Sequence, residues 1–240
     1  MNKPLGCKAY GSIPHLPNSR MGPSDHHCHV GQATICTKKA RDRHDDIIVS
    51  EKLDGSCCAV AKVSGIIVAL GRSGHTAYSS PYEQHRFFAV WVDRNRERFD
   101  TLLNDEERVV GEWLALARGT RYELPHEPFV AFDIINQYGK RAVYDNFTER
   151  VQAVDLVIPR LLHRGSPFSV ADMLAVLEPS GHGALEPVEG AVWRVERNDP
   201  NPNGKGLHVD CLCKWVRHDK VDGKYLPEIS GKEAIWHWRP

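Results

Sequence analysis

Two apolar runs bracket a polar turn early in the chain, Asp46-Ile47-Ile48-Val49-Ser50 before it and Cys57 to Val63 after it. Runs of this length, bounded by polar and Gly/Ser punctuation, predict strands. Gly65 to Leu70 reads as a third strand, joined to the second by a Ser-Gly turn. The stretch from Tyr82 to Leu103 contains no glycine or proline and predicts one helix, with Phe87, Val90, Trp91 and Arg94 on one side. Strands are expected again over Arg108 to Ala117, Phe129 to Ile135 and Arg141 to Tyr144. Helices follow at Thr148 to Leu162 and Val170 to Glu178, the second capped by Ser169 with Asp172 in its first turn. Two last strands, Gly190 to Val195 and His208 to Val216, flank a turn-rich insert over Asn198 to Gly206. Residues 1 to 45 read as irregular: Ile13-Pro14-His15-Leu16-Pro17 is extended, and a Gly/Ser/His-rich loop follows. Strands interrupted by occasional helices, without regular alternation, predict an α+β fold with largely antiparallel sheets. The length suits a single domain over 1–240, with no separate C-terminal domain.

Composition adds boundaries. Lysine plus arginine and aspartate plus glutamate both count 31, so no global positive field coats the molecule, although a local basic groove is compatible with neutrality. No run approaches the roughly 18 apolar residues of a membrane span, and the first seven residues lack the apolar core of a signal peptide. A cytoplasmic protein without a membrane partner is expected. Seven cysteines, an odd number, with Cys57-Cys58 and Cys211-x-Cys213 inside strand-like runs, fit reduced and mostly buried thiols.

The polar turn holds the most chemistry: Glu51-Lys52-Leu53-Asp54-Gly55-Ser56. A lysine where a strand runs into a glycine turn is a candidate nucleophile once its amine is neutral, which burial and a nearby cation favour. Alone, Lys-x-Asp-Gly reads more readily as a strand-end lysine stabilising a turn, and only the set of motifs below reverses that. Five further features follow in order: Arg72-Ser73-Gly74; Gly111-Glu112-Trp113; Phe129-Val130-Ala131-Phe132-Asp133-Ile134; Glu189-Gly190-Ala191-Val192; and Cys213-Lys214-Trp215-Val216-Arg217. With the opening Tyr10-Gly11-Ser12-Ile13-Pro14-His15-Leu16, this series resembles the lysine nucleotidyltransferases, the superfamily of ATP-dependent polynucleotide ligases and mRNA capping enzymes. Within it the chain resembles ATP-dependent RNA ligases of the nick-repairing type, over roughly residues 10 to 217.

The resemblance implies the nucleotidyltransferase fold, antiparallel sheets flanked by helices, and ATP and Mg²⁺ (or Mn²⁺) as cofactors. It implies that Lys52 attacks the α-phosphate to form lysyl-AMP, that AMP passes to a 5′-phosphate end, and that a 3′-hydroxyl displaces it. Lys214 would meet the α-phosphate and favour the neutral form of Lys52. Gly55 would allow the tight turn, Arg72 would hold ribose or phosphate, and Glu112 a ribose hydroxyl. Phe132 would stack on adenine, Glu51 would lie near that base, and Asp54 would belong to the nucleotide site. Glu189 would help hold the metal. RNA ends or a nicked duplex would be the partner; protein partners are not specified.

Bland readings stand beside these. Phe132 alternates with Val130 and Ile134 and reads equally as core; Arg72 reads as a solvated turn residue, and Glu112 as a strand-face charge paired with a basic neighbour. Two departures from the family pattern bear on function. Cys57 stands where many such ligases carry an asparagine linked to sealing, so adenylylation is expected to outpace sealing. Leu212 stands where the last motif usually has its first lysine, a loss that Arg217 would offset. The rivals are a DNA nick ligase and a nucleic-acid-binding protein of the same fold that no longer seals; a capping enzyme fits less well. Upstream, His26-His27-Cys28-His29, Cys36, Lys38, Lys39, Arg41, Arg43 and His44 form a loop with three readings: a zinc site, a phosphate-contacting loop or a solvated surface loop.

Overall fold

A computed structural model describes residues 3–201 and 204–240; residues 202 and 203, inside the expected turn-rich insert, and residues 1 and 2 lie outside it. In chain order the elements are α1 (Val30–Thr37), β1 (Asp45–Lys52), β2 (Ser56–Val63), β3 (Ile66–Gly71), α2 (Glu83–Arg94), α3 (Arg96–Leu102), β4 (Arg108–Trp113) and β5 (Phe129–Ile135). There follow α4 (Tyr144–Gln152), β6 (Leu161–Gly165), α5 (Val170–Val176), β7 (Gly190–Asn198), β8 (Leu207–Val216) and α6 (Pro227–Ser230). Two four-stranded sheets result, ordered β6-β1-β7-β8 and β3-β2-β4-β5. Every strand pair in both is antiparallel, as the α+β reading expected.

The chain crosses from one sheet to the other between β1 and β2, through Leu53, Asp54 and Gly55. The seam between the sheets therefore falls at the lysine turn. In the second sheet, Cys58, Val60, Val109, Trp113 and Phe129 face the core built with α2 and α3. Phe88 and Trp91 of α2 sit with ring centroids 5.2 Å and 5.6 Å from Trp113, and Phe99 of α3 is 5.6 Å from Trp91. Removing such a fully buried ring costs about 3 to 5 kcal/mol. In the first sheet, Ile47, Val49, Trp193 and Trp215 pack with α1 and α5.

Several expectations are corrected. The helix over Tyr82 to Leu103 is two helices, because Asn95 turns its amide back onto the Trp91 carbonyl at 2.9 Å. Its buried stripe is Gln84, Phe88, Ala89, Trp91 and Val92, so of the four expected residues only Trp91 is buried. The strand expected over Arg108 to Ala117 ends at Trp113; beyond it the Ala117 N–H bonds to the Ile235 carbonyl, and the C-terminal segment covers Ala115. Arg141 to Tyr144 is not a strand: Val143 is the N-cap of α4, and the Tyr144 N–H donates to Glu196.

The helix expected over Thr148 to Leu162 runs only from Tyr144 to Gln152. Asp155, in the left-handed region at φ 56°, stops it, and Pro159 blocks continuation, so Leu161 to Gly165 becomes edge strand β6. Finally, 1–45 is not wholly irregular. Helix α1 forms despite Gly31, Thr34, Ile35 and Thr37, poor helix formers, because Ala33 and Cys36 bury against the first sheet. Ser169 caps α5 as expected, accepting the Asp172 N–H at 3.1 Å.

Candidate active site

Lys52 ends β1 opposite Gly190 of β7, so Glu189 comes alongside it, and the Glu189 Oε2 lies 2.6 Å from the Lys52 Nζ. Strand alternation puts Ile48, Ser50 and Lys52 on one face, together with Arg194 of β7 and Leu212 and Lys214 of β8. Across the seam, Cys57, Glu112 and Phe132 present their own face. Between them lies a cavity of about 860 Å³, within the usual range for small-molecule sites. Glu51, Lys52, Gly55, Arg72, Glu112, Phe132 and Lys214, named from sequence, all line it.

Gly55 is needed for a different reason from the one expected. Its φ is not in the left-handed region; instead a Cβ there would stand 2.6 Å from the Trp113 carbonyl oxygen and 2.8 Å from Leu114. That close approach lets its N–H reach Glu112 Oε1 at 3.1 Å. Phe132 is half-buried, edge-on to Tyr10 at 5.1 Å, and lines the cavity rather than the closed core. Arg72 is exposed and donates to the Gly11 carbonyl and Ser12 hydroxyl at 3.3 Å and 3.1 Å. Glu51 is buried, with its carboxylate accepting from Ser180 at 2.6 Å and from the Gly181 N–H at 2.8 Å.

Three residues named from sequence are not among the lining: Glu189 meets the site through its ion pair with Lys52, and Asp54 and Arg217 face elsewhere. Asp54 points the other way: its carboxylate takes the Gly119 N–H at 2.9 Å and the buried Lys220 ammonium at 2.7 Å, which makes it an anchor of the turn. Arg217 pairs with Asp219 at 2.5 Å outside the cavity, so it does not replace the lysine missing at Leu212.

The charge state of Lys52 is also corrected. Burial lowers its pKa, but Glu189, Glu112 and Asp54 outweigh burial and hold it above the ordinary lysine value. The resting amine is charged. Burial pushes Glu112 up to about 7, with Lys52 opposing and Glu189 and Asp54 adding to the rise. Glu189 is raised as well, first by burial. For Lys214, burial and then Lys52 lower the pKa, while Asp25 raises it.

Other lining residues had no signal beyond their type: Lys8, His75, Tyr82, His85 and Arg118. Tyr10, read only as part of the opening motif, lines the cavity and donates to Asp133 at 3.3 Å. The upstream loop divides. His26, His27 and His29 are exposed, whereas Cys28 and Cys36 pack into the first sheet's core with Cys211 and Cys213. Among the described residues no group of three or more His, Cys, Asp or Glu side chains is set to hold a metal ion. Arg41 pairs with Asp45 and Asp210 at 2.7 Å and 2.8 Å, so it is not free to meet phosphate. No described helix is long and apolar enough to cross a membrane.

The RNA ligase family model matches residues 45–216, from β1 to the end of β8. No curated protein matches the chain. Among solved structures, it is similar to the Naegleria gruberi RNA ligase with pyrophosphate, at 17% identity and TM-score 0.57, over 94% of this chain and 63% of that one. It is also similar to a lysine-to-alanine mutant of that ligase with ATP and Mn, at 16% identity and TM-score 0.56, over 85% and 59%. An archaeal ATP-dependent RNA ligase is 20% identical with TM-score 0.47, over 72% of this chain and 43% of that one. At these identities the likeness is one of fold, and the chain spans between 43% and 63% of these structures' lengths.

Proposed function

Since this chain belongs to the RNA ligase family, we propose that it acts as an ATP-dependent RNA ligase in which Lys52 takes AMP from ATP and passes it to a 5′-phosphate end, which a 3′-hydroxyl then joins. The observation that carries this reading is the placement of Lys52 at the seam of two sheets, on a cavity of about 860 Å³ that also presents Arg72, Glu112, Phe132 and Lys214. Those side chains supply, in one space, a nucleophile, an aromatic face, a hydrogen-bond acceptor and two cations. Phosphoryl transfer asks a protein for little beyond such positioning and charge.

The Lys52 ammonium, still partly open to solvent, first gives up a proton to water in the cleft. Its lone pair then attacks the α-phosphorus, a P–N bond forms, the bond to the β-phosphate breaks, and pyrophosphate leaves. Phe132 stacks on adenine and Glu112 accepts from the ribose, while Lys214 and Arg72 meet phosphate oxygens. Glu51, its carboxylate already committed to Ser180 and Gly181, shapes the floor under the base. Glu112 and Glu189 flank Lys52, both raised in pKa by burial, and such hard oxygen donors suit Mg²⁺ or Mn²⁺. A divalent cation held by Glu189 would neutralise charge on the triphosphate. In this reading the 240 residues work as one cytoplasmic nucleotidyltransferase domain acting in RNA repair, on RNA ends or a nicked duplex.

One observation favours slow sealing. Cys57 lines the cavity directly opposite Glu112 in the β2–β4 ladder, where it presents a thiol and no amide to a substrate strand. Incubation with α-labelled ATP and Mg²⁺ tests the proposal. An acid-stable protein–AMP adduct is expected, lost in Lys52→Ala; labelling that survives this substitution refutes the nucleophile. Comparing matched RNA-containing and all-DNA nicks then decides the substrate, with RNA sealing expected.

A further inference from the structure

The loop before α1 carries a chain of polar contacts that starts and ends on β8. The Val216 N–H donates to Ser19 Oγ at 2.9 Å, and that hydroxyl lies 2.7 Å from His15 Nδ1. The nearest acceptor competing for the Ser19 proton, the Arg20 carbonyl, is farther away at 3.4 Å. The hydroxyl therefore gives its proton to Nδ1, which fixes His15 as the tautomer with its hydrogen on Nε2. His15 is buried, and Nε2 stands 3.1 Å from Asp25 Oδ2 without the alignment of a hydrogen bond, so among the described residues this nitrogen has no hydrogen-bond partner. The same Asp25 oxygen accepts the Gly22 N–H at 2.9 Å, and the other, Oδ1, lies 3.4 Å from Lys214 Nζ.

Backbone bonds make the frame rigid. His15 N–H bonds to the His26 carbonyl, Leu16 N–H to the Lys214 carbonyl, and Lys214 N–H to the Pro14 carbonyl, all within 2.9 Å. Lys214 is thus held at its main chain by residues 14 to 16 and at its ammonium by Asp25. A four-carbon stem is otherwise free to rotate, and misplacement by about 1 Å can cost about 100-fold in rate.

We propose that Asp25, oriented by the Gly22 N–H and seated against the buried His15 ring, is a positioning residue that aims the Lys214 ammonium at the nucleotide phosphate above Lys52. This rests on the adenylylation reading for its consequence, but the coupling of Asp25 to Lys214 does not. The burial of His15 keeps it neutral, with a pKa near 4, lowered first by burial and then by Lys214, with Lys52 also lowering it and Asp25 opposing. The imidazole thus stays a neutral wall beside Asp25 over the working pH range and does not titrate within it.

The test uses the full chain with Asp25→Asn, which preserves shape, alongside Lys214→Ala and the double variant. Single-turnover adenylylation at saturating ATP and Mg²⁺ should slow about 100-fold in Asp25→Asn with little change in apparent KM. The double variant should be no slower than Lys214→Ala, since residues acting through one another are not additive. Full-rate transfer by Asp25→Asn, or additive losses in the double variant, overturns the proposal. Independently of turnover, NMR titration of ¹³C-methylated Lys214 should move to lower pH in Asp25→Asn, because a stabilising carboxylate is gone; an unmoved titration also overturns it. No adduct from the wild-type chain, together with a Lys214 titration that moves in Asp25→Asn, refutes the adenylylation reading while the coupling stands.

Discussion

The Lys220 ammonium reaches across to Asp54 at 2.7 Å, so a residue beyond the last strand clamps the turn that carries Lys52. Lys220 also bonds to the Thr120 hydroxyl, and both partners in the ion pair are largely shielded from water. Removing one member leaves a buried charge uncompensated, a loss of about 3 to 5 kcal/mol. Lys220→Met should lower the free energy of unfolding by that amount in urea titrations. It should also slow adenylylation, because Asp54 then loses its hold on the turn. A variant with wild-type stability would mean the pair contributes nothing.

The glycine of the turn gives a sharper contrast. Gly55→Ala drives a Cβ to 2.6 Å from a backbone oxygen that cannot yield, whereas Gly31 in α1 has nothing within 4 Å. Overpacking of this kind costs about 1 to 3 kcal/mol, while an alanine inside an exposed helix gains roughly 0.5 to 1 kcal/mol. Thermal melts should therefore shift in opposite directions, and only Gly55→Ala should lose adduct formation.

Glu112 predicts a pH signature. Its native pKa of about 7 lies above the ordinary glutamate value, with burial the main cause. The native state then binds more protons than the unfolded chain between roughly pH 4.5 and 7, so this group's contribution is full below that window and is lost as pH rises through it. Glu51 and Glu189 act in the same direction, while burial of His15 and His182 acts in the opposite one. The difference between wild type and Glu112→Gln isolates the single group. In metal-free buffer the variant should gain stability relative to wild type as pH rises from 5 to 8, read as the gap between their melting curves.

Phe132 separates binding from stability. It is half-buried beside Tyr10 at the cavity, so Phe132→Ala should weaken nucleotide binding by about 1 to 3 kcal/mol, the range for base–aromatic stacking. Isothermal titration with ATP checks the affinity. Unchanged affinity with a large loss of stability would assign the ring to the core.

Thiol chemistry tests the burial pattern. Cys7 is exposed and Cys28 and Cys57 half-buried, whereas Cys36, Cys58, Cys211 and Cys213 are buried. A thiol reagent should modify Cys7 first in the native protein and reach the four buried thiols only under denaturant, as mass spectrometry of timed samples would show.

How much of this was readable from the residues varies with physical cause. The strands around Lys52 were clear because burial on one or both faces leaves a pattern of apolar positions, and the motif residues on strands reached one cavity as expected. Helix α1 was hidden because tertiary burial of Ala33 and Cys36 overrides poor propensity. Strand β6 was missed through an apolar run read at helical period across Pro159, a breaker visible in the sequence. Asp54 and Gly55 sat in the right motif with the wrong reasons attached: one carboxylate faces Lys220, and one missing Cβ makes room for Trp113. The partners of Lys214 lay beyond any local reading, since Asp25 and Lys214 are 189 positions apart. The protonated resting state of Lys52 follows from three carboxylates that meet only in the folded chain.

The crossing from β1 to β2 has a mechanical side. Three residues, Leu53 to Gly55, join the two sheets there, and a segment of that length reaches at most about 11 Å when fully stretched. So short a tether keeps the end of β1 beside the start of β2, with Lys52 at its first step. In the ligase reading, the amine would thus keep its place relative to both sheets while a polynucleotide binds and leaves.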